Sequence, residues 1–293
     1  MGPPEPSPAK PWQAPPTGYE HPVPDLASLA QLIERLAYAP LVAAFYWAIL
    51  IAAAALEMAS PGRSHRLPLS PRLRVNFAFG LSTMLLYAIP FLSEVALAEW
   101  VRARGWGLFN RAEAGLAWHL VLSFLAYDLC GYTIHRLSHR FRWLWRLHRV
   151  HHSDSDLDLS TYFRSHPLDV MVILGIKFAA IVGLGLHPAA LVLHGLAKQV
   201  TMSLGHANIA PRPRLSRAIS AVFVSPAFHQ THHSAHRPDT DSNYGEVLTV
   251  WDRLFASAGR TGGAIERFGL GDAYDADSAS LAGQLKLPFV SRQ

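Results

Sequence analysis

Long runs of apolar residues constrain the fold of this chain most strongly. The clearest run is Tyr38 to Ala59, whose only charge is Glu57. Two more extend over Val75 to Ala98 and Gly115 to Thr133, and a fourth, Val170 to Gln199, is long enough for a hairpin. Each approaches or exceeds the roughly 20 residues that a helix needs to cross a bilayer. We therefore predict an all-α integral membrane bundle of about four to five apolar helices, because a soluble core of 293 residues could hardly cover so many runs.

The positions of the arginines predict the orientation of this bundle. The loop from Pro61 to Arg74 carries four arginines and no acid, and the segment from Ile134 to Pro167 carries six arginines. Basic loops stay on the cytoplasmic side of a membrane. The net charge is +5, but the basic residues lie beside the apolar runs. We therefore interpret them as determinants of membrane orientation and expect no nucleic-acid partner. A helical cap that follows the third apolar run should lie in the cytoplasm.

We divide the chain into four segments. Residues 1–36 form a proline-rich tail followed by a short amphipathic helix, and residues 37–114 form the N-terminal transmembrane helices. Residues 115–270 form a histidine-rich domain, and residues 271–293 form a C-terminal tail. Cys130 is the only cysteine, so neither an intramolecular disulfide nor a thiolate metal cluster is expected.

Three histidine clusters distinguish the predicted cap. Their pairs are spaced i and i+4, which puts both imidazoles on one face of a helix, one turn apart. Two further histidines stand one position before the second member of a pair. Together these eight side chains exceed what one metal ion needs. The eight histidines are His135, His139, His148, His151, His152, His229, His232 and His233.

The ligand type alone leaves the metal open, since imidazole suits zinc, iron, copper and nickel. The sequence has no His-Glu-x-x-His and no Glu-x-x-His motif, which excludes a zincin and a carboxylate-bridged di-iron bundle. A structural zinc ion would use only four ligands. A histidine-rich dinuclear site beside a bilayer favours a redox metal that activates O2 against a lipid C–H bond. The alternatives are a membrane zinc-binding or zinc-transport protein and a zinc-dependent lipid hydrolase.

Residues 115 to 270, roughly, resemble the fatty acid hydroxylase/sterol desaturase superfamily of membrane-bound, histidine-rich di-iron oxygenases. The motifs that carry the resemblance occur in the family's order. They are Asp128-x-x-x-Tyr132-x-x-His135-Arg-x-x-His139, Trp145-x-x-His148-x-x-His151-His152, Arg164-Ser-His166-Pro, Gly205-His206-Ala-Asn208, His229-Gln-Thr-His232-His233 and Asp241-x-Asn243-Tyr244-Gly.

The resemblance implies two iron ions, O2 as co-substrate, and hydroxylation or desaturation of a sterol-like or fatty acyl lipid. It adds His206 and His166 to the eight expected ligands. Met202 stands where related enzymes can carry a polar ligand, so water is expected there. The chain has no cysteine-rich iron–sulfur motif and no Gly-x-Gly-x-x-Gly fingerprint, so we expect a separate electron-transfer protein of the reductase, ferredoxin or cytochrome type.

Other residues are expected to act around the metal ligands. Asp128 is an acid within an apolar run, which is usually functional, and we expect it to orient a ligand histidine. Asn243 and Tyr244 either support the site or form a tight turn. His119 and His194 stand alone in apolar runs and are expected to be structural.

Overall fold

The structure is a computed structural model that describes residues 40–65, 69–112, 115–210, 212–262, 265–271 and 278–290. The predicted tail and amphipathic helix of residues 1–36 lie outside this range. Within it the chain is helical, with isolated β-bridges and no strand, so the all-α prediction is confirmed. The helices are α1 (Pro40–Ala59), α2 (Leu69–Tyr87), α3 (Glu94–Ala103), α4 (Leu108–Arg111), α5 (Leu116–Arg140), α6 (Arg142–His152), α7 (Pro167–Leu184), α8 (Pro188–His206), α9 (Pro213–Ile219), α10 (Pro226–His232), α11 (Arg237–Thr240), α12 (Val250–Leu254) and α13 (Leu281–Lys286).

Two of the described helices, α1 and α7, are long and apolar enough to span a bilayer. A third candidate arises only if Glu94–Arg111 and Leu116–Arg140, which meet at 90°, act as one broken span. The structure thus supplies two or three candidate spans, fewer than the four to five apolar helices predicted.

The predicted second span is interrupted. Helix α2 ends at Tyr87, and α3 begins only at Glu94. Pro90 has no N–H to continue a helix, and Ser93 caps α3 by accepting a hydrogen bond from the Ala96 N–H at 3.2 Å. A stop and a new start within one apolar run therefore divide it into two shorter helices.

The fourth apolar run forms the predicted hairpin, α7 and α8. Gly185 ends α7 in the left-handed conformation, with φ of 68°, which glycine adopts without steric cost. His187 then caps α8, because its Nδ1 accepts from the Ala189 N–H at 3.2 Å. Helix α8 does not qualify as a candidate span. It packs among α1, α3, α5 and α10, and its buried side chains include His194 and Gln199.

The C-terminal segment 278–290 packs against α6. Arg146 donates to the Pro288 carbonyl at 2.8 Å, and Arg149 donates to the Val290 carbonyl at 2.7 Å. The Ser153 hydroxyl donates to Gln284 at 2.6 Å. These contacts attach α6 to the C-terminal segment. The division into four sequence segments stays a prediction.

Candidate metal centre

Nine histidines of the described residues form two compact groups. Within each group, one ring nitrogen per residue lies within 4.8 Å of all the others. The first group has five members and the second has four. The first group is His135, His139, His148, His152 and His232, and the second group is His151, His206, His229 and His233.

Four helix ends bring these side chains together. His139 lies in the last turn of α5, and His152, His206 and His232 are the last residues of α6, α8 and α10. The C-terminus of a helix carries a partial negative charge from its unpaired carbonyls. The convergence of four such ends favours a positive charge at this point, as a metal ion would supply.

Helical geometry also explains why neighbouring histidines enter different groups. Successive residues are about 100° apart around a helix, whereas residues four apart nearly coincide. His148 and His152 therefore face the first group together, while His151 faces the second. Likewise His229 joins His233 in the second group, and His232 turns toward the first.

Most of these rings are fixed through Nδ1. His135 donates to the Tyr244 carbonyl at 2.8 Å and His232 to the Ser242 carbonyl at 2.7 Å. His148 and His139 donate to the carboxylates of Asp169, at 3.1 Å, and Asp241, at 3.2 Å. A proton on Nδ1 leaves the lone pair of Nε2 available, which is the tautomer a metal ligand needs.

The first group has ring nitrogens that lack any protein partner. The Nε2 atoms of all five members are buried without a hydrogen bond. A buried polar atom left unpaired costs about 1–3 kcal/mol, so five in one place require an explanation. A bound cation would satisfy all five lone pairs together.

The second group shows the same requirement through close nitrogen pairs. His151 donates its Nδ1–H to the Arg164 carbonyl at 3.0 Å, and His206 donates to the Met202 carbonyl at 2.7 Å. In the neutral rings both Nε2 atoms then carry lone pairs, yet they lie 3.1 Å apart. Two lone pairs at this distance repel each other unless a cation lies between them. The residues therefore fit a metal ion in each group.

Burial keeps the imidazoles neutral. Burial, reinforced by His233, lowers the pKa of His152 well below its usual value. Burial and the neighbouring His151 do the same to the pKa of His233. Protonated histidines would repel a metal ion, so the lowered pKa values favour the ligand-competent form.

Comparison with known proteins identifies the family of one segment of the chain. Residues 120–257 match the sequence profile described as fatty acid hydroxylase. This segment belongs to the fatty acid hydroxylase family. It contains all nine histidines of the two groups, and the resemblance predicted from the motifs is confirmed.

Curated relatives include a Rhizobium tropici protein named ornithine lipid hydroxylase, which is 28% identical over 142 residues, covering 48% of this chain and 42% of that protein. The human alkylglycerol monooxygenase is 27% identical over 144 residues, covering 48% of this chain and 30% of the human protein. The Danio rerio alkylglycerol monooxygenase is 26% identical over 192 residues, which cover 64% of this chain and 42% of the Danio rerio protein. The chain thus spans less than half the length of these relatives. No solved structure matches it.

One carboxylate of the fatty acid hydroxylase segment was missed by sequence reasoning. Asp169 lies in the first turn of α7 and holds the ring of His148. An acid in the first turn of a helix is common for electrostatic reasons alone, so its position gave no separate signal. Its spacing of two residues from the Arg164-Ser-His166-Pro motif was the one available indication.

The structure keeps His166 outside both groups. Its Nδ1 accepts from the Leu168 N–H at 3.2 Å and caps α7. Met202 contributes its backbone carbonyl to His206.

The predicted supporting residues lie at different distances from the centre. The Tyr244 ring packs against His139 and His135, with centroids 5.2 and 5.6 Å away. Asn243 adopts a positive φ of 59° and accepts from the Gly259 N–H at 2.8 Å, so it shapes the turn before Tyr244. Asp128 contacts no member of either group through its hydrogen bonds: its partners are His194, Leu248 and Trp251.

Proposed function

We propose that this chain is a membrane lipid oxygenase that holds two iron ions and uses O2 to hydroxylate a lipid substrate. The observation that carries the proposal is the pair of all-imidazole groups: the five Nε2 atoms of the first group have no partner, and Nε2 atoms of the second group lie 3.1 Å from one another. The relatives named hydroxylase and monooxygenase favour insertion of an oxygen atom over desaturation. The balanced reaction is R–H + O2 + 2 e⁻ + 2 H⁺ → R–OH + H2O.

The ligand sets suit this chemistry. When bound, two iron ions would supply the activation of O2 that breaks an unactivated C–H bond. Five histidines would hold one ion and four the other.

The chain's own residues orient and protect this centre. Asp169 and Asp241 hold the Nδ1 protons of His148 and His139, which fixes both rings in one orientation. The buried Tyr244 ring covers one side of the first group and excludes water from it. Exclusion of water would limit loss of oxidising equivalents to side reactions.

The lipid would approach from the bilayer. Helices α5 and α8 lead from the apolar part of the molecule to the histidines at their C-terminal ends. A sterol-like or fatty acyl chain lying between apolar helices could present a C–H bond to the centre without entering water. The arginine-rich segment 134–167 supports a position of the centre on the cytoplasmic side. A reporter inserted after Arg140 that is accessible only from outside the cell would contradict this orientation.

Two alternatives have less support. In a transporter, metal-binding residues are expected near the middle of the spans with acidic partners, whereas both histidine groups lie at helix ends. In a zinc hydrolase, a carboxylate is expected to act as general base. The carboxylates of Asp169 and Asp241 are instead paired with Nδ1 atoms on the outside of the first group.

Metal analysis and product analysis would test the proposal together. The protein would be purified in nanodiscs, its metals measured, and lipid extracts of cells with and without the gene compared after growth in isotopically labelled O2. Two iron ions per chain and a lipid that gains one labelled oxygen atom are expected. The variant His119→Ala serves as a control and should match the wild type in metal content and product. His119 lies outside both groups and bonds to the Gly185 carbonyl. Zinc alone, with no oxygen uptake, would contradict the proposal.

A further inference from the structure

Trp145 connects the first histidine group to the protein surface. Its ring centroid lies 4.8 Å from that of His139 and 5.5 Å from that of His152. The guanidinium of Arg237 also lies over this ring, 4.7 Å from its centroid. More than half of the Arg237 side chain is exposed, at 54%. One aromatic ring therefore separates two expected metal ligands from solvent.

A hydrogen-bonded route runs beside this ring. Arg237 Nε donates to Asp241 Oδ2 at 2.6 Å, and Asp241 Oδ1 accepts from His139 Nδ1 at 3.2 Å. The Asp241 side chain is 36% exposed. His139 is thus reached from the surface by two short paths, one through an indole and one through a carboxylate.

The surface around these paths is basic. Arg140 and Arg142 are exposed at the junction of α5 and α6, and Arg142 stands one helical turn before Trp145. The only acid among these residues, Asp241, is already neutralised by Arg237. We name Arg140, Arg142, Trp145, Arg237 and Asp241 the entry face.

We infer that the entry face is the docking site of an acidic one-electron carrier protein and the point where electrons enter the histidine centre. The inference rests on the proposed function, which consumes two electrons per turnover. An acidic partner follows from charge complementarity with the arginines. Anionic lipid head groups would also be attracted to arginines, but they would not account for an indole and a carboxylate that both lead to His139.

Electrons that enter at the first group can reach the second. The rings of His152 and His233 stack with centroids 4.5 Å apart and an interplanar angle of 21°. His152 belongs to the first group and His233 to the second. This contact between imidazoles connects Trp145 and His152 to the second group. Electrons that enter at one point can therefore reach both groups.

Binding of a carrier tests the docking site without relying on turnover. A plant-type ferredoxin would serve as the acidic probe, titrated against the full chain in nanodiscs of neutral lipid. Arg140→Glu/Arg142→Glu should weaken binding about tenfold or more, and high salt should weaken binding by the wild type. Arg214→Glu/Arg217→Glu, with the same charge change on exposed arginines of α9, should bind like the wild type. Equal loss in both variants would indicate attraction to total charge only and would overturn the inference.

Electron transfer tests the path through the ring. Anaerobic stopped-flow would follow oxidation of reduced ferredoxin by iron-loaded protein. Trp145→Leu should slow this step while ferredoxin affinity and iron content stay unchanged, and Trp145→Phe should recover part of the rate. An unchanged rate in Trp145→Leu would remove the indole from the route, and a lost affinity would show that Trp145 only shapes the surface.

Reduction by a small molecule separates this inference from the proposed function. Dithionite needs no docking face, so dithionite-reduced Arg140→Glu/Arg142→Glu should form product on addition of O2 as the wild type does. If the reduced wild type forms no product, the proposed function fails. If the reduced wild type forms product, but Arg140→Glu/Arg142→Glu accepts electrons from ferredoxin at the normal rate, then the entry face is not the docking site.

Discussion

Asp128 Oδ1 accepts a hydrogen bond from His194 Nε2 at 2.9 Å, and Asp128 Oδ2 accepts from Trp251 Nε1 at 2.8 Å. The Leu248 N–H points to the same oxygen at 3.3 Å. One buried carboxylate therefore joins α5 to α8 and to the segment around α12. None of these partners is a member of a histidine group, so Asp128 supports the centre indirectly, through the packing of the segment that carries Tyr244.

Asp128→Asn should reduce stability more than metal binding. The single amide oxygen of asparagine cannot accept from three donors, and leaving buried donors unpaired costs about 1–3 kcal/mol. Thermal unfolding in detergent should occur at a lower temperature, while iron per folded chain stays near the wild-type value. A double-mutant cycle with His194→Gln checks the pairing. Additive effects of the two substitutions would argue against it.

Asp169→Asn should reduce metal binding more than stability. The substitution removes the carboxylate that holds His148 in its ligand orientation, and losses of this kind typically cost about 10–100-fold in metal affinity or activity. Competition with a chelator would measure the affinity. Asp239→Asn is the control, because Asp239 pairs with Arg260 and His236 and has no bond to either histidine group. Equal affinity in the two variants would contradict the role given to Asp169.

The spacing of the histidines allowed much of the site to be predicted. Pairs at i and i+4 predicted which side chains share a helix face, and His148 with His152 follows that rule. The sequence could not predict how faces from different helices combine, because this depends on packing between α5, α6, α8 and α10. It also could not distinguish His166, which caps a helix, from His206, which joins the second group.

Hydropathy predicted helices better than it predicted membrane spans. An apolar run shows that a segment avoids water, but either lipid or the rest of the protein can cover it. Helix α8 is apolar, yet it is surrounded by other helices and carries buried polar groups. Lys198 of this helix pairs with Glu246 at 2.6 Å, a partner that lies far away in sequence. Such pairing allows charged residues within the bundle and cannot be seen from the run itself.

Removal of one histidine from either group should lower the metal content of the protein. His152→Ala opens the five-histidine group and His233→Ala the four-histidine group, so each should lower the iron content and abolish product formation. His119→Ala should keep both. Elemental analysis of membranes with equal protein content would test the ranking. Damage in His119→Ala equal to that in His152→Ala would contradict assignment of the site to the two groups.

Acid should destabilise the metal-free protein. Burial lowers the pKa of His152, His232 and His233 in the folded state, whereas in the unfolded chain the value is about 6.5. Below that pH the unfolded state binds more protons than the folded state. Stability should therefore be constant above about pH 6.5 and fall as the pH decreases, by up to about 1.4 kcal/mol per unit for each such histidine. Metal-free samples unfolded at a series of pH values would show this decline, and a flat profile would contradict it.

Truncation of the C-terminus should loosen α6 and with it the first histidine group. Removal of residues 278–293 deletes the carbonyl groups of Leu287 and Val290, which accept hydrogen bonds from the buried Arg149. Hydrogen bonds to a charged group each contribute about 1.5–3 kcal/mol, and the truncated chain loses both of these bonds. Helix α6 carries His148 and His152, so the truncated chain should unfold at a lower temperature and retain less iron.

Adding Arg149→Met to the truncated chain distinguishes loss of hydrogen bonds from general loss of packing. Methionine needs no carbonyl partners and fills a similar apolar volume, so it should restore part of the stability of the truncated chain. In the full-length chain the same substitution leaves the Leu287 and Val290 carbonyls without their guanidinium donor and should lower the stability by about 1–3 kcal/mol. If Arg149→Met lowers the stability of both chains equally, then the C-terminal segment does not act on α6 through Arg149.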